Sequence, residues 1–278
     1  MIQDLILSAF REDLPEGDVT TDSLGISDYP GYAKLIAKED LVLSGKRLFT
    51  ASVHHRDPSC QIKWYFEDGQ WILKDQVVAL IEGNLIELLK AERVALNFLG
   101  RLCGIATLTR CFSKNVEHTP CRILDTRKTT PNLREYEKKA VVDGKGVNHR
   151  FNLSEAILIK ENHIRIAGGL SQAVTKIRKN CSLPIEVEAS SLEEVREAVH
   201  LSVDRILLDN MDNNTLKESL TLIPKSIKTE ASGNMNLERV ASVAELGVDF
   251  ISVGAITHSA PCADLSLLFN WQSQSLDT

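Results

Sequence analysis

The chain has 278 residues, 43% of them hydrophobic and 25% charged, which allows one or two sizeable cores and excludes wholesale disorder. Its formal net charge of −6 argues against a general nucleic-acid-binding protein. No apolar run approaches the roughly 18 residues that a membrane-spanning helix needs, so neither nucleic acid nor a membrane is an expected partner.

The six cysteines form no disulfide or zinc motif. They lie at positions 60, 103, 111, 121, 181 and 262, with no CxxC pair and no closely spaced cysteine and histidine ligands. This spacing is typical of buried or inert thiols. The first residues, MIQDLILSAFREDLPEGD, lack the basic segment and cleavage site of a signal peptide. We therefore expect a cytoplasmic protein.

The first hundred residues mix short strand-like runs with helical stretches. Apolar runs cover residues 33–36, 61–66 and 76–81, and Asp68-Gly69 between the last two predicts a hairpin. From Leu85 to about Asn115 the apolar residues recur at helical spacing. This part of the chain therefore predicts a mixed α/β domain.

After about residue 120 short strands and helices alternate. The apolar runs cover residues 122–124, 157–159, 185–187, 205–208, 226–229 and 250–253, with helical patterns between them. A capping box over residues 190–193 predicts the N-terminus of one of these helices. Such alternation predicts parallel strands with crossover helices. The segment is about 150 residues, shorter than a complete eight-stranded barrel, so we predict an incomplete barrel of six or seven strands.

Polar residues or glycines follow each of these strands at once. In chain order they are Asp125-Thr126-Arg127-Lys128, Lys160, Glu188, Asp209, Glu230 with Ser232-Gly233, and Gly254. In a β/α barrel the carboxyl ends of the strands form the active site, so these side chains should converge. A doubly wound sheet also places ligands at strand ends, so this pattern alone leaves the architecture open.

The strongest cluster is basic. Residues 122–165 contain ten Lys or Arg and six Asp or Glu, whereas the rest of the chain has a net charge of −10. Arg127, Lys128, Arg150 and Lys160, with His149 nearby, suit a polyanionic ligand, because arginine binds carboxylates and phosphates through two nitrogens. The alternative is a set of separately paired surface charges, and the charged run 134–139 fits a solvated helix.

Glu188 and Asp209 form a complementary acidic pair. Two carboxylates near a polyphosphate commonly hold Mg²⁺, and they also stabilise positive charge that develops on a sugar carbon. The alternative is helix capping or salt bridging. Glu186 lies two residues before Glu188 on the same side of the strand, so the pattern leaves open which acid faces the ligand.

Ser232, Gly233, Gly254 and His258 follow the last two strands, where phosphate-using barrels bind phosphate through backbone N–H groups. Each glycine taken singly also fits an ordinary turn. No GxGxxG follows a strand in the right setting, and no GxxxxGK[ST] occurs. A dinucleotide oxidoreductase or a P-loop NTPase is therefore unsupported.

Taken together, these motifs resemble the quinolinate phosphoribosyltransferase family almost from end to end. The matching segments are EDLPEGDVTTDSL, AERVALNFLGRLCGIAT, DTRKTTPNLR, GKGVNHR, LIKENHI, IEVEASSLEE, ILLDNM, EASGNM and GVDFISVGAITHSAP. The resemblance implies an α/β chain with an N-terminal α/β sandwich domain, residues 1–103 joined by the tail 264–278, and an incomplete six- or seven-stranded β/α barrel, residues 104–263. It also implies a homodimer.

The resemblance further implies an enzyme that transfers the phosphoribosyl group of phosphoribosyl pyrophosphate to quinolinate, with loss of CO₂, in NAD biosynthesis. Catalytic roles fall on Glu188, Asp209 and Lys128, and the two acids hold Mg²⁺ directly or through water. The implied substrate-binding residues are Arg93, Arg127, Lys128, His149, Arg150, Lys160, Ser232, Gly233, Gly254 and His258. Arg93 is the residue that reaches the partner's site.

Three positions depart from the family pattern, and three other functions stay open. Lys145 and Asn234 stand where the family usually has glycine, and Cys103 stands where it usually has serine. The alternatives are a related enzyme with another acceptor, a Schiff-base lyase that uses Lys160, and a non-catalytic sensor of phosphorylated sugars.

Overall fold

The computed structural model describes residues 2–270. Its helices are α1 (Ile2–Asp13), α2 (Val19–Ser23), α3 (Lys46–Arg56), α4 (Leu85–Val116), α5 (Arg134–Asp143), α6 (Glu161–Ala167), α7 (Leu170–Asn180), α8 (Leu192–His200), α9 (Asn213–Leu222), α10 (Val240–Glu245) and α11 (Ala255–His258). The strands are β1 (Pro30–Ala37), β2 (Leu41–Val42), β3 (Gln61–Trp64), β4 (Trp71–Ile72), β5 (Val77–Asn84), β6 (Arg122–Leu124), β7 (Ile157–Ile159), β8 (Ile185–Ala189), β9 (Arg205–Asp209), β10 (Lys228–Ser232), β11 (Phe250–Ser252) and β12 (Leu265–Asn270). Within 2–270, no helix combines the length and apolar character needed to cross a bilayer.

The described chain divides into two compact units. The first contains the described residues up to Leu108, together with Pro131–Lys145 and the chain from Ala260 onward. The second contains Thr109–Thr130 and Gly146–Ser259. The domain limits expected from the sequence, 103/104 and 263/264, stay a prediction. Of the expected C-terminal tail, residues 271–278 lie outside the described residues.

An antiparallel sheet with strand order β12-β1-β5-β3 forms the first unit. Alternate residues of β1, Ala33, Leu35 and Ala37, are fully buried, as the two-residue period of a strand requires. In the same core, α4 places Leu88 and Leu99 on its buried face. The prediction of a mixed α/β domain is therefore confirmed.

The predicted hairpin is present with an insertion. Strands β3 and β5 pair antiparallel, and Gly69 between them has a φ of 89°, a conformation that glycine adopts without strain. The short strand β4 also lies between them and pairs with β2. The long helix expected from Leu85 to about Asn115 is α4.

The charged run 134–139 lies in α5 and is solvated only in part, with Glu135 and Lys139 exposed. Glu137 and Lys138 in α5 are buried, with 0% and 1% of their surface exposed. Arg101 of the same unit donates from Nε and Nη2 to Oε1 of Glu137, at 3.1 and 3.0 Å. The buried Glu137 carboxylate is therefore compensated by a guanidinium.

The second unit is a parallel sheet of six strands, in the order β6-β11-β10-β9-β8-β7. Consecutive strands from β7 to β11 are neighbours, and the first strand of the unit, β6, pairs with the last, β11. Strands β6 and β7 are therefore the two edges. This order confirms the predicted incomplete barrel, with six strands.

Two local expectations need correction. The fifth strand runs over Lys228–Ser232 and not over 226–229, because a turn closed by the Ile227 N–H on the Pro224 carbonyl (3.0 Å) occupies its expected start. The capping interaction of α8 is displaced by one residue from the predicted box. Ser191 accepts the N–H of Glu194 (3.3 Å), and the Glu194 carboxylate accepts the N–H of Ser190 (2.6 Å).

Candidate active site

A cavity of about 750 Å³ opens at the carboxyl ends of the strands of the second unit. Its lining is Thr126, Arg127, Lys128, His149, Arg150, Leu158, Lys160, Glu188, Leu207, Asp209, Asn210, Glu230, Ser232, Gly233, Asn234, Met235, Ser252, Val253, Gly254, Ala255 and His258. Cations, acids and glycines from all six strand ends therefore share one space, as the barrel geometry predicts.

Of the twelve residues to which a site role was given from the sequence, eleven line this cavity. The twelfth, Arg93, lies exposed on α4 in the first unit. Sequence reasoning missed several lining residues, among them Asn210, Met235 and Ser252. Asn210 lies in the ILLDNM motif directly after Asp209, a signal that could have identified it.

Buried hydrogen bonds fix the two segments that carry most of the cations. Asp125 is fully buried, and its Oδ1 accepts the backbone N–H of His149 at 2.8 Å. The Thr257 hydroxyl donates to the Lys128 carbonyl at 2.8 Å. Asp125 and Thr257 thus hold the backbone while the cationic side chains line the cavity, an arrangement that reduces the entropy lost on binding.

Arg127 and Arg150 lie close enough to influence each other. Burial lowers the pKa of the Arg150 guanidinium, the charge of Arg127 lowers it further, and the charge of Glu186 opposes both. Nη1 of Arg150 donates to the Ala156 carbonyl at 2.9 Å, which restricts the side chain. Two neighbouring guanidiniums that line one cavity favour a ligand with two negative charges.

Lys160 forms an ion pair with Glu188 through Nζ and Oε2. The contact occupies the amine that a Schiff-base lyase would use as its nucleophile, which argues against the lyase alternative. It also places Glu188 on the cavity wall between β7 and β9, in register with Leu207.

Asp209 follows on the next strand and is held by its neighbour. Nδ2 of Asn210 donates to Oδ2 of Asp209 at 2.7 Å, and the Asn210 N–H donates to the Ser232 carbonyl at 2.9 Å. Glu188 and Asp209 thus present two carboxylates from adjacent strands to one cavity. An oxygen-only donor set of this kind fits Mg²⁺.

Close packing surrounds both glycines of the predicted phosphate site. Gly233 has a φ of 91°, and a Cβ there would lie 2.1 Å from Oδ1 of Asn210. A Cβ on Gly254 would lie 3.1 Å from Nε2 of His258 and 3.3 Å from Cδ of Lys128. The absence of these side chains leaves backbone groups accessible to a ligand, as phosphate-binding loops need.

The departures from the family pattern have a simple structural context. Lys145 and Asn234 have φ values of 72° and 51°, so both occupy the left-handed region that glycine prefers. Asparagine tolerates this region better than lysine does. Cys103 is buried, and its sulfur accepts the N–H of Ser44 at 3.3 Å, as a serine hydroxyl would.

The structure also separates the two acids of β8. Glu188 lines the cavity, whereas Glu186 lies deeper, with 6% of its surface exposed. Glu186 Oε2 is 3.1 Å from Nε2 of His149, and Oε2 of the fully buried Glu230 is 3.5 Å from the same nitrogen. Burial and the charge of Glu186 raise the pKa of Glu230 to about 7. Ionisable side chains that are almost fully buried therefore adjoin the cavity.

Comparison with known proteins agrees with this geometry. Residues 18–103 match the family model described as "Quinolinate phosphoribosyl transferase, N-terminal domain", and residues 105–268 match the model of its C-terminal domain. Together the two models cover most of the chain.

Individual relatives match over nearly their full length. The chain is 42% identical to a probable nicotinate-nucleotide pyrophosphorylase [carboxylating] of Synechocystis, over 92% of this chain and 88% of the relative. It is 36% identical to the protein of the same description in Bacillus subtilis, over 99% and 96%. The structure of the nicotinate-nucleotide pyrophosphorylase of Francisella tularensis superimposes with a TM-score of 0.92 at 36% identity, over 97% of this chain and 96% of that one. The chain belongs to the quinolinate phosphoribosyltransferase family.

Proposed function

We propose that this chain transfers the phosphoribosyl group of phosphoribosyl pyrophosphate to quinolinate, with loss of CO₂. The products are nicotinate mononucleotide and pyrophosphate, and the reaction is a step of NAD biosynthesis. The observation that carries the proposal is the convergence of eleven expected site residues on one cavity of about 750 Å³, in a chain of this family. A cavity of this size accommodates two small polyanions.

The basic residues of the cavity supply binding and orientation. In this proposal Arg127 and Arg150 bind the two carboxylates of quinolinate, and the ring nitrogen faces C1 of the ribose. Lys128, His258 and the backbone around Gly233 and Gly254 hold the phosphates. Fixing both reactants in this way lowers the entropic part of the barrier.

The acids act on the reacting sugar carbon. As the bond from C1 to pyrophosphate breaks, positive charge develops on C1, and the carboxylates of Glu188 and Asp209 stabilise it electrostatically. The nitrogen of quinolinate then bonds to C1 and the ring becomes a pyridinium. That positive ring accepts the electron pair left at C2 when CO₂ departs, and a proton replaces the carboxylate. No protein nucleophile is needed.

Mg²⁺ belongs to this proposal as the cofactor, held by Glu188 and Asp209 directly or through water. When bound, it neutralises charge on the leaving pyrophosphate. Support comes from the oxygen-only donors that the two acids present to the cavity. Titration with Mn²⁺ as the probe should show binding to the wild-type enzyme with phosphoribosyl pyrophosphate and much weaker binding to Asp209→Asn. Equal binding would remove Asp209 from the metal site.

The assay that tests the proposed function supplies quinolinate, phosphoribosyl pyrophosphate and Mg²⁺ and measures pyrophosphate and CO₂. We expect both products in equal amounts, and none with nicotinate as acceptor. Asp209→Asn should lower kcat by about 10² to 10³, because a charge aimed at the developing cation is lost. Glu218→Gln, an exposed acid on α9, is the matched control and should leave kcat unchanged. The proposal would be refuted if no pyrophosphate were released from phosphoribosyl pyrophosphate when quinolinate is the acceptor.

Assembly and location are part of the same proposal. A homodimer, with Arg93 reaching the partner's site, is supported by the exposed position of Arg93 on α4. A cytoplasmic location is supported by the six cysteines, which are all free thiols. Cell fractionation that recovers the enzyme outside the cytoplasm would contradict the second point.

A further inference from the structure

A group of ionisable side chains extends from the cavity wall into the interior of the barrel, and the proposed reaction gives its two acids no role. His149 Nε2 faces two carboxylates, Glu186 Oε2 at 3.1 Å and Glu230 Oε2 at 3.5 Å. Arg205 Nη1 is 3.1 Å from the same oxygen of Glu230. The two acids have 6% and 0% of their surface exposed, so their charges are almost entirely removed from water. We call His149, Glu186, Glu230 and Arg205 the buried cluster.

The contacts of His149 determine where its proton lies. The backbone N–H of Arg150 donates to Nδ1 of His149 at 2.7 Å. Nδ1 therefore keeps its lone pair, and the ring proton of the neutral imidazole is on Nε2, the nitrogen that lies 3.1 and 3.5 Å from the two carboxylates. Nδ1 is thus engaged by the Arg150 N–H, and Nε2 lies within ion-pair distance of the two acids.

The alternative occupant of the cluster is a metal ion. One donor atom each from His149, Glu186 and Glu230 lie within 4.8 Å of one another, which is close enough for coordination. Coordination through Nε2 would require its lone pair, but that nitrogen carries the proton when Nδ1 is an acceptor. Arg205 already supplies a positive charge to Glu230. The geometry favours a proton between the histidine and the acids.

The cluster is connected to a cation of the cavity in two ways. His149 holds the backbone N–H of Arg150, and the charge of Glu186 acts directly on the Arg150 guanidinium. Arg127 repels that same guanidinium. Glu186 therefore provides negative charge that favours two guanidiniums close together before a dianionic ligand binds.

We propose that Glu186 and Glu230 are positioning residues for the acceptor, which fix His149 and, through it, Arg150 in the orientation that binds one carboxylate of the dicarboxylate substrate. This inference rests on the proposed function for the identity of that substrate. It assigns His149 a role in holding Arg150, in addition to lining the cavity. The pair Glu188 and Asp209 acts on the sugar, so the two acidic pairs serve different substrates.

The kinetic test compares Glu186→Leu with Glu186→Gln. Leucine removes the acceptor and the charge, whereas glutamine removes only the charge and keeps an oxygen for Nε2–H. We expect leucine to raise the KM for quinolinate by roughly 10- to 100-fold, as loss of a group that orients a ligand-binding side chain does. The KM for phosphoribosyl pyrophosphate and kcat should change by less than about 3-fold. Glutamine should recover much of the loss, and Glu218→Gln should have no effect.

A spectroscopic test does not depend on activity. In ¹⁵N-histidine-labelled wild-type enzyme at pH 8, the His149 ring should show the tautomer protonated at Nε2, and this preference should weaken in Glu186→Leu and in Glu230→Gln. Direct titration with quinolinate measures acceptor binding in the same samples. Wild-type enzyme that binds no quinolinate but shows the fixed tautomer would refute the proposed function and leave the role of the acids on His149 intact.

Three results would overturn the inference. The first is an unchanged KM for quinolinate in Glu186→Leu. The second is an equal change of both KM values and kcat in step with a loss of thermal stability, which marks a purely structural role. The third is a stoichiometric divalent metal that mass spectrometry finds in the purified enzyme and that Glu186→Leu and Glu230→Gln both lack.

Discussion

Glu186 and Glu188 show how depth along one strand separates the roles of two identical side chains. They lie two residues apart on β8, so both face the interior of the barrel. Glu188 reaches the cavity and meets Lys160, whereas Glu186 lies below it and meets His149. The two-residue period predicts the shared face, but depth depends on strand stagger, which the sequence of one strand does not contain.

The backbone at Gly233 lies against Asn210, the residue that holds the site acid Asp209. Gly233→Ala places a Cβ 2.1 Å from Oδ1 of Asn210, so Asn210 must move, and Asn210 holds Asp209. We expect kcat/KM for phosphoribosyl pyrophosphate to fall by about 100-fold, because the acid and the loop are displaced together. Backbone strain at a φ of 91° should also cost about 1 to 3 kcal/mol of unfolding free energy.

Gly247→Ala is the matched control for that substitution. Gly247 has a φ of 96°, and a Cβ there would meet nothing within 4 Å. It should show a similar loss of stability in urea unfolding and an unchanged kcat/KM. If both variants lose activity equally, strain alone explains the effect and the contact with Asn210 does not.

At the scale of single elements, α8 tests whether local capping is separate from catalysis. Ser191 is the N-cap, and its side chain accepts the N–H of Glu194. Ser191→Ala should lower the unfolding free energy by about 1 kcal/mol. Because Ser191 does not line the cavity, both KM values and kcat should stay at wild-type levels. The exposed Ser226 gives the control variant, Ser226→Ala, for which we expect no change in unfolding.

Helices and strands with a regular apolar pattern are predictable from the sequence. Features that depend on contacts with distant residues are not. The spacing of apolar residues predicts α4 and five of the six barrel strands closely, because burial on one face is encoded in the period. The start of β10 was misplaced, since the turn at Pro224 removes two residues from an apolar run. The burial of Glu137 is not predictable from the local pattern either, because its partner Arg101 is distant in sequence.

The residues that line the cavity are more predictable from the sequence than the buried residues that contact them. Motifs at strand ends identified Arg127, Lys160 and Asp209, since strand ends of a barrel converge whatever the details of packing. Glu230 was expected to follow its strand, but it lies within β10 and is fully buried. Nothing in a single sequence indicates that a carboxylate at this position faces a histidine from another segment.

At the scale of the whole molecule, the buried cluster makes the stability depend on pH. The pKa of Glu230 rises from its ordinary value of 4.5 to about 7, so the native state binds this proton more tightly than the unfolded state does. The contribution of Glu230 to the free energy of unfolding is therefore fully present below its unfolded-state pKa of about 4.5. It is lost as the pH rises from about 4.5 through about 7. Burial lowers the pKa of His149, but the interaction with Glu186 and the charge of Glu230 outweigh this effect, so the pKa of His149 is raised. His149 therefore also makes the stability fall as the pH rises.

Urea unfolding of the wild type and of Glu230→Gln at pH values from 5 to 8 measures this effect. The wild type should lose stability across the interval, and the variant should lose clearly less, because glutamine has no proton to release. Glu218→Gln should follow the wild type. A variant curve parallel to that of the wild type would show that Glu230 does not titrate in this range.

The assembly of the whole molecule can be tested by complementation. If Arg93 acts in the partner's site, Arg93→Ala and Glu188→Gln should each be nearly inactive as homodimers. Mixing them under conditions that exchange subunits creates heterodimers with one intact site, which combines Glu188 of one chain with Arg93 of the other. Random exchange should restore about a quarter of the wild-type activity, since half of the dimers are mixed and each has one working site of two.

A mixture of Glu188→Gln and Asp209→Asn is the control. Both substitutions damage the part of the site that one chain supplies, so this mixture should recover no activity if each site takes both acids from one chain. Failure of the first mixture, with exchange verified by mass spectrometry, would assign Arg93 to its own chain's surface and remove the partner from the reaction.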